Sequence, residues 1–515
     1  MFSFKLNSFS SVVILQEREL EKRSFKQKAL SQFDEFYGSL YQDQWPSVRL
    51  ALLSVEKKGV VINNFSDKER VSQEMLLRGA FNVREIFNAR KEDLRKTSAD
   101  VENKPTGSIY QVDGRIEEAL FRQQESDLSD IYPEPVSPET VDKITESLAN
   151  QRSHQRIEDD DGESVADDPT KDQSLAEALK SADYDTSRLI TPGPSGFALT
   201  ASLYDFVPAT KLKGMDDYIP ESAHFRYYTD APEAEVEIEA EAEFDFPDLL
   251  DVYAYERGNC DTFEYSKRGS TDLFDYHIIN LASLAPVLAL GIKKGEIVLD
   301  MTSSSLDTAI LIGQTLMPGI FIVNAGSLSR GKYLLRHLDS YLFEDKSNVI
   351  VTDYHPLDIQ DAGKFEKIIV YAPSTFDRRA VNSEEQNVFN PARVKERIRL
   401  PEVQTAYLKK ALELVKVGGS VVYCTETLSP IQNDAVVQKV LDDLWFSSQM
   451  KFIVKDCSKG LDPLQSFMKI IRTGKFGHLV VPFIPNNCGP LYFTKLVKCA
   501  KADPETPDAG VKSPE

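Results

Sequence analysis

The chain has 515 residues, 41% of them hydrophobic, with 28 Phe and 20 Tyr, which is enough apolar side chain for a large core and excludes a fibre or a wholly disordered tail. Its five cysteines (260, 424, 457, 488 and 499) form no CxxC pair and its six histidines stand apart, so neither a disulfide framework nor a zinc site is suggested and no metal is expected. The net charge of −21 argues against a polyanion binder, except that much of the acid is concentrated in one region, from Glu158-Asp159-Asp160-Asp161 to the alternating Glu233, Glu235, Glu237, Glu239, Glu241 and Glu243.

Residues 1–28 open with MFSFKLNSFSSVVILQ, free of acid, and continue with Arg18, Lys22, Arg23, Lys26 and Lys28. A mitochondrial presequence has this composition, although Glu17, Glu19 and Glu21 interrupt it; a frayed terminus leading into a surface helix is the other reading. Residues 29–95 read as a small N-terminal unit, with Trp45-Pro46 opening an apolar segment and Val60 to Phe65 strand-like. Residues 96–248 form an acidic insertion. Its Pro133, Pro135 and Pro138 among acidic and amide runs predict disorder over most of 97–185, with short helices near 115–125 and 139–150. Aromatic residues predict partial order at 197–228, and the alternating glutamates read as a solvated charge run in preference to an edge strand.

The main domain is expected over 249–500, followed by a disordered tail at 501–515. Its longest apolar run, Leu281 to Ile292, contains Pro286 and stops at Lys293-Lys294, short of the roughly 20 residues a membrane span needs. Helix is predicted over 272–290, 304–316, 327–342 and 401–417, the last ended by Gly418-Gly419. Strands are predicted over 297–300, 320–325, 349–352, 368–371 and 421–423. Short apolar strands alternating with helices predict an α/β fold, a doubly wound Rossmann-like parallel sheet. Ligands of such sheets sit beyond the carboxyl ends of the strands, here Asp300, Ala325, Thr352, Tyr371 and Thr425.

Four collinear blocks carry a more specific signal: SLAPVLALGIKKGEIVLD (283–300), NVFNPARVKERIRLPEVQ (387–404), LSPIQND (428–434) and GPLYFTKL (489–496). Together they resemble the RsmB/Nop/Sun RNA cytosine-5 methyltransferases. QWPSVRLALLS (44–54), VINNF (61–65) and VPATKLKGMDDYIPESAHFRYY (207–228) extend the similarity toward the branch that acts on mitochondrial ribosomal RNA. The resemblance implies a methyltransferase sheet with S-adenosylmethionine as the family cofactor.

The family's glycine-rich cofactor loop falls at Thr302, Ser303, Ser304, Ser305, Leu306, Asp307 and Thr308. Leu306 and Asp307 place side chains where the backbone should approach the ligand. The ribose-binding acid falls at Ala325 and the adenine-binding aspartate at His355. Cytosine-5 methylation needs a thiolate to add to C6 and a second cysteine to assist release. The resemblance puts these at Glu426, in Thr425-Glu426, and at Ser374, in Pro373-Ser374; the base-contacting aspartate falls at Tyr371. Serine is far harder to ionise than cysteine, and a carboxylate does not perform a reversible conjugate addition. Cys424 lies two residues early and reads as a core thiol.

All these positions are therefore expected to be vestigial, with no cofactor bound. The expected role is that of a scaffold in the mitochondrial matrix, acting in large ribosomal subunit assembly. Arg378, Arg379, Arg393, Lys395, Arg397 and Arg399 are the candidate RNA contacts, with a solvated helix face as the other reading. The implied partners are mitochondrial rRNA or the large subunit and a helical-repeat protein of the mitochondrial transcription-terminator family. An active methyltransferase using displaced groups and a cytosolic adaptor are the competing readings.

Overall fold

The computed structural model describes residues 24–98, 236–241, 243–259, 261–342, 348–448 and 450–499. Most of the presequence reading, the helices near 115–125 and 139–150, the 197–228 segment and the tail lie outside the described residues.

Helix α1 (Phe25–Tyr41) is capped by the Ser24 hydroxyl and buries Ala29, Phe33, Phe36, Tyr37 and Leu40 on one face; α2 (Trp45–Leu53) follows with Pro46 in its first turn. This face does not build a core of its own. Phe33 meets Phe389 edge-on at 5.3 Å, and the Tyr37 hydroxyl donates to Asp377 Oδ2 at 2.7 Å, so α1 completes the core of the main domain. Burial raises the Asp377 carboxyl above its ordinary range, which makes each donor to it valuable. Replacing Tyr37 by Phe keeps the ring and removes one donor. The urea midpoint should fall by the equivalent of about 1–3 kcal/mol at unchanged m-value.

Next come β1 (Lys58–Ile62), α3 (Lys68–Leu77), β2 (Ala80–Asn82), α4 (Val83–Ser98), β3 (Glu237–Ala240), β4 (Val252–Tyr255) and β5 (Tyr276–Asn280). Four of these strands form an antiparallel sheet in the order β2-β4-β1-β5. The helix predicted over 272–290 is thus only half right: β5 and a 3-10 turn precede α5 (Leu284–Leu290). The aromatic and β-branched run Tyr276-His277-Ile278-Ile279 pairs along all of β1, and that long-range pairing overrides the helical spacing.

The large sheet contains β6 (Ile297–Asp300), α6 (Leu306–Gln314), β7 (Ile320–Asn324), α7 (Leu328–Asp339), β8 (Val349–Thr352) and β9 (Phe365–Tyr371). It continues through α8 (Asp377–Asn382), α9 (Val394–Leu414), β10 (Val415–Thr425), α10 (Asp434–Ser448), β11 (Phe452–Asp456), α11 (Ser458–Leu461), β12 (Ile470–Thr473), β13 (Gly477–Val480) and β14 (Leu491–Lys498). The strand order is β12-β13-β14-β10-β9-β6-β7-β8, with β11 on the outer half of β14 and β3 on β11. Strands β6 to β10 run parallel and β14 runs against β10, so the doubly wound sheet is present. The chain leaves β6 toward β7 on one side and returns as β9 on the other, which opens a crevice at the carboxyl ends of β6 and β9.

Two further expectations are corrected. Helix α9 begins at Val394, not 401, and contains Pro401 in its interior; the stripe Val394, Arg397, Leu400, Gln404, Leu408 and Ala411 buries one face and carries the helix across the proline. Gly418-Gly419 lie inside β10, where the register shifts between Val415 and Ser420. A Cβ on Gly419 would lie 2.7 Å from the Glu366 carbonyl oxygen. The glutamate run, expected to be solvated, forms β3 parallel to β11, with Glu237 paired to Lys451 at 2.7 Å and Glu241 to Lys495 at 2.8 Å.

Candidate functional site

Asp300 ends β6 fully buried. Its Oδ1 accepts from the Ser303 amide at 2.8 Å, yet burial outweighs that help and pushes the carboxyl up to about 7. The loop folds back under it, with Ser303 at φ 36°. Thr302 Oγ1 donates to the Tyr371 carbonyl at 2.9 Å, Ser304 Oγ donates to the same oxygen, and Thr308 Oγ1 donates to the Ser305 carbonyl. Ser305 is the N-cap residue of α6 without a side-chain bond, and Leu306 packs at the margin of the apolar core.

Asp307 serves a different end. Its Oδ2 accepts from the Asn280 amide at 2.7 Å and its Oδ1 lies 3.0 Å from His277 Nε2, which ties α6 to the small sheet. Ala325 is buried beyond β7. His355 is exposed and caps a 3-10 turn, its Nδ1 accepting from the Leu357 amide. Two residues that sequence reasoning missed organise this crevice. Asn324 donates to the Met301 and Tyr354 carbonyls, at 2.9 Å each. Arg330 donates to the Ser303 and Ser304 carbonyls while stacking over Tyr333. Asn324 had a readable signal, a lone amide at the end of an otherwise apolar strand.

The three positions equivalent to catalytic groups are brought together. Buried Ser374 accepts through Oγ from the Glu426 amide at 3.2 Å, and the Tyr371 hydroxyl donates to Glu426 Oε1. Burial pushes the Glu426 carboxyl up to about 7, assisted by Glu56 and Asp307 and opposed by the Tyr371 bond and Arg379. Among the described residues, the three buried thiols are not activated. Cys424 is fully buried and burial raises its thiol far above the usual range; Cys457 and Cys488 are pushed up to about 12, the opposite of an activated cysteine. Glu426 faces a cavity of 510 Å³ together with Glu56, Asn280, Asp307 and Arg379.

The basic candidates do not form one surface. Arg378 is a structural clamp, donating to the Gly489, Ala51 and Ser54 carbonyls and to Asn487 Oδ1 at 2.6–3.1 Å, so its guanidinium is already committed within the fold. Spacing by two does not place residues on one face of a helix. Accordingly Arg397 is buried over the Phe389 ring, while Lys395 and Arg399 are exposed. Arg393 is held by both carboxylate oxygens of Glu396 and by the Gln386 carbonyl. Arg379 is exposed and lies over Phe376.

The sequence model of the family "16S rRNA methyltransferase RsmB/F" matches residues 287–462. The chain is 28% identical to "5-cytosine rRNA methyltransferase nsun-4" of Caenorhabditis elegans, over 92% of this chain and 91% of that protein. It is 33% identical to "5-cytosine rRNA methyltransferase NSUN4" of Bos taurus, over 48% of this chain and 66% of that protein, just under two thirds of the relative's length. It is also 32% identical to "tRNA (cytosine(34)-C(5))-methyltransferase, mitochondrial" of Mus musculus, over 49% of this chain and 72% of that protein.

These matches correct the expectation that no cofactor is bound. The matched family and all three relatives are methyltransferases, and the family's methyl donor is S-adenosylmethionine. The crevice is compatible with a polar ligand: Asp300 Oδ2 and Ser303 Oγ lie buried at its base without a well-formed hydrogen bond among the described residues, although the Ser303 and Thr308 hydroxyls are close enough to favour the Asp300 carboxylate.

Proposed function

The chain belongs to the RsmB/F methyltransferase family, and from that premise we propose that it is a mitochondrial member that binds ribosomal RNA. It acts as a scaffold in large-subunit assembly and does not methylate cytosine. The observation that carries this reading is the closed contact among Tyr371, Ser374 and Glu426, which stand where the family has its base contact and its two thiols. Bound S-adenosylmethionine supplies an electrophilic methyl group; Asp300, Ser303 and the 302–305 backbone are the residues that would hold it. Accepting that methyl requires cytosine C5 to be made nucleophilic by thiolate addition at C6. Near neutral pH Glu426 is a partly protonated carboxyl that accepts from the Tyr371 hydroxyl, and among the described residues the bonds to Ser374 Oγ come from the backbone amides of Phe376 and Glu426, not from a base.

A mitochondrial location is supported by the names of the relatives. Ribosomal RNA as the ligand is supported in the same way. A helical-repeat partner would give an acidic chain additional RNA affinity. On the chain itself, exposed Lys395, Arg399 and Arg379 are the contacts we assign to RNA phosphates.

The test is complementation in cells depleted of the protein. Ser374→Ala with Glu426→Ala should restore large-subunit assembly, and Lys395→Ala with Arg399→Ala should not. In vitro the latter pair should lower the slope of log affinity against log salt by about 2. Failure of the Ser374/Glu426 double variant alongside success of the Lys395/Arg399 variant would sink the scaffold reading.

A further inference from the structure

The acidic strand β3 is held by two different kinds of contact. Along residues 236–241 it is almost bare: three of its four strand residues are exposed, including Ile238 at 41%. What attaches it is a backbone ladder to β11, the half-buried Val236 against the core at its start, and a row of ion pairs. Alternate side chains of a strand point the same way, about 6.6–6.8 Å apart. Glu237 meets Lys451 at 2.7 Å, Glu239 meets Lys455 at 2.5 Å, Glu241 meets Lys495 at 2.8 Å and Glu243 meets Arg95 at 2.5 Å.

Immediately afterwards the attachment changes character. Phe244 and Phe246 are each 5% exposed, Phe244 lying against Gly460 and Phe246 edge-on to Phe87 at 5.4 Å. The segment is therefore pinned by aromatic burial at its end and held by charge along its length. The outer pairs, Glu237 with Lys451 and Glu243 with Arg95, are exposed and weaken with salt and competing ions, the inner pairs at Lys455 and Lys495 are more buried and resist longer, and the aromatic pin does not respond to salt.

We propose that residues 236–241, together with Glu243, are a releasable strap over a basic row formed by Lys451, Lys455, Lys495 and Arg95, and that the phosphate backbone of single-stranded RNA replaces it. The regular spacing of the glutamates presents one negative charge to each cation, as a phosphate backbone does. Lys451 and Arg95 hold the Glu237 and Glu243 carboxyls below their ordinary range, so the pairs are charged at neutral pH. The strap explains how an acidic chain can carry a phosphate-binding row: four of its carboxylates are docked on the row's cations. The inference rests on the reading that the chain binds RNA and adds the surface and its control.

The experiment uses the full chain and a fluorescein-labelled oligouridylate of about 20 nucleotides at about 50 mM salt, read by anisotropy. The variant Glu237→Gln, Glu239→Gln, Glu241→Gln is compared with Glu69→Gln, Asp261→Asn, Asp43→Asn, which removes the same charge from exposed sites elsewhere. The strap variant should bind roughly 5-fold or more tightly than this control, and adding Lys451→Ala with Lys455→Ala should abolish the gain. Equal affinity of the two variants, or a gain that survives loss of the lysines, overturns the strap while leaving RNA binding intact. Absence of binding by every form overturns the RNA-binding reading and the proposed ligand with it. Hydrogen exchange tests the strap without RNA: amides of 237–241 should exchange faster as salt rises while those of 244–246 hold, and a salt-insensitive 237–241 counts against release.

Discussion

Incubated with S-adenosylmethionine and mitochondrial ribosomal RNA, the purified protein should leave cytosines unmethylated by bisulfite sequencing, at a rate on the order of 10⁴-fold or more below a thiol-bearing family member. The size of the effect follows from the chemistry. Cytosine C5 is a poor nucleophile until a thiolate adds to C6, and loss of an enzyme's covalent nucleophile commonly removes most of its rate enhancement. At the nucleophile position Glu426 is bonded to Tyr371 and its carboxyl is raised to about 7, so near neutral pH it is a partly protonated acid. Cys424, two residues away in sequence, is fully buried. Cofactor binding is not the discriminating measurement, because a crevice lined at its base by the buried polar groups of Asp300 and Ser303 can hold a ligand without the transfer occurring. Detection of 5-methylcytosine that disappears in Glu426→Gln would establish the competing reading, an enzyme that uses this carboxyl in place of a thiol.

The large sheet was legible because its strands are buried on both faces and read as short apolar runs, such as Ile368-Ile369-Val370-Tyr371 and Val421-Val422-Tyr423. Elements that depend on distant partners were not. β5 looks helical until β1 is placed beside it, and β3 looks solvated until Lys451, Lys455 and Lys495 supply opposite charge. The amphipathic face of α1 was readable, but not that its target is the domain core containing Phe389. At the site, the family motif placed Tyr371, Ser374 and Glu426 near one another. Their hydrogen bonds, the diversion of Asp307 to His277 and Asn280, and the commitment of Arg378 to backbone carbonyls depend on side-chain geometry that spacing does not encode. The charged block at 393–399, expected as RNA contacts or a solvated helix face, is divided by the helix: spacing by two turns Arg397 inward over Phe389 and leaves Lys395 and Arg399 exposed.

The Glu426→Gln variant should be more stable than wild type above neutral pH, by about 3 kcal/mol, and no more stable at pH 4. The carboxyl's pKa is raised from 4.5 to about 7 by burial, the reverse of the usual paired carboxylate. Below pH 4.5 the group is protonated in both folded and unfolded chains and contributes nothing to the difference. Between 4.5 and 7 the unfolded chain gives up its proton while the folded chain keeps it, so stability falls as pH rises and levels off above 7. A shift of that size corresponds to about 3 kcal/mol. Glutamine keeps an oxygen to accept from Tyr371 and carries no charge to bury. Asp300, raised from 3.8 to about 7 at the base of the crevice, and buried Asp377 and Asp434, raised as well, act with the same sign, while Asp456, held low by His478 and Ser458, acts with the opposite sign, so the variant should lose only part of the wild-type pH slope. Urea unfolding from pH 4 to pH 8.5 measures both quantities. If Glu426→Gln destabilised the protein at pH 8, or left its pH slope unchanged, Glu426 would be ionised in the folded protein near neutral pH and burial would not have raised its carboxyl.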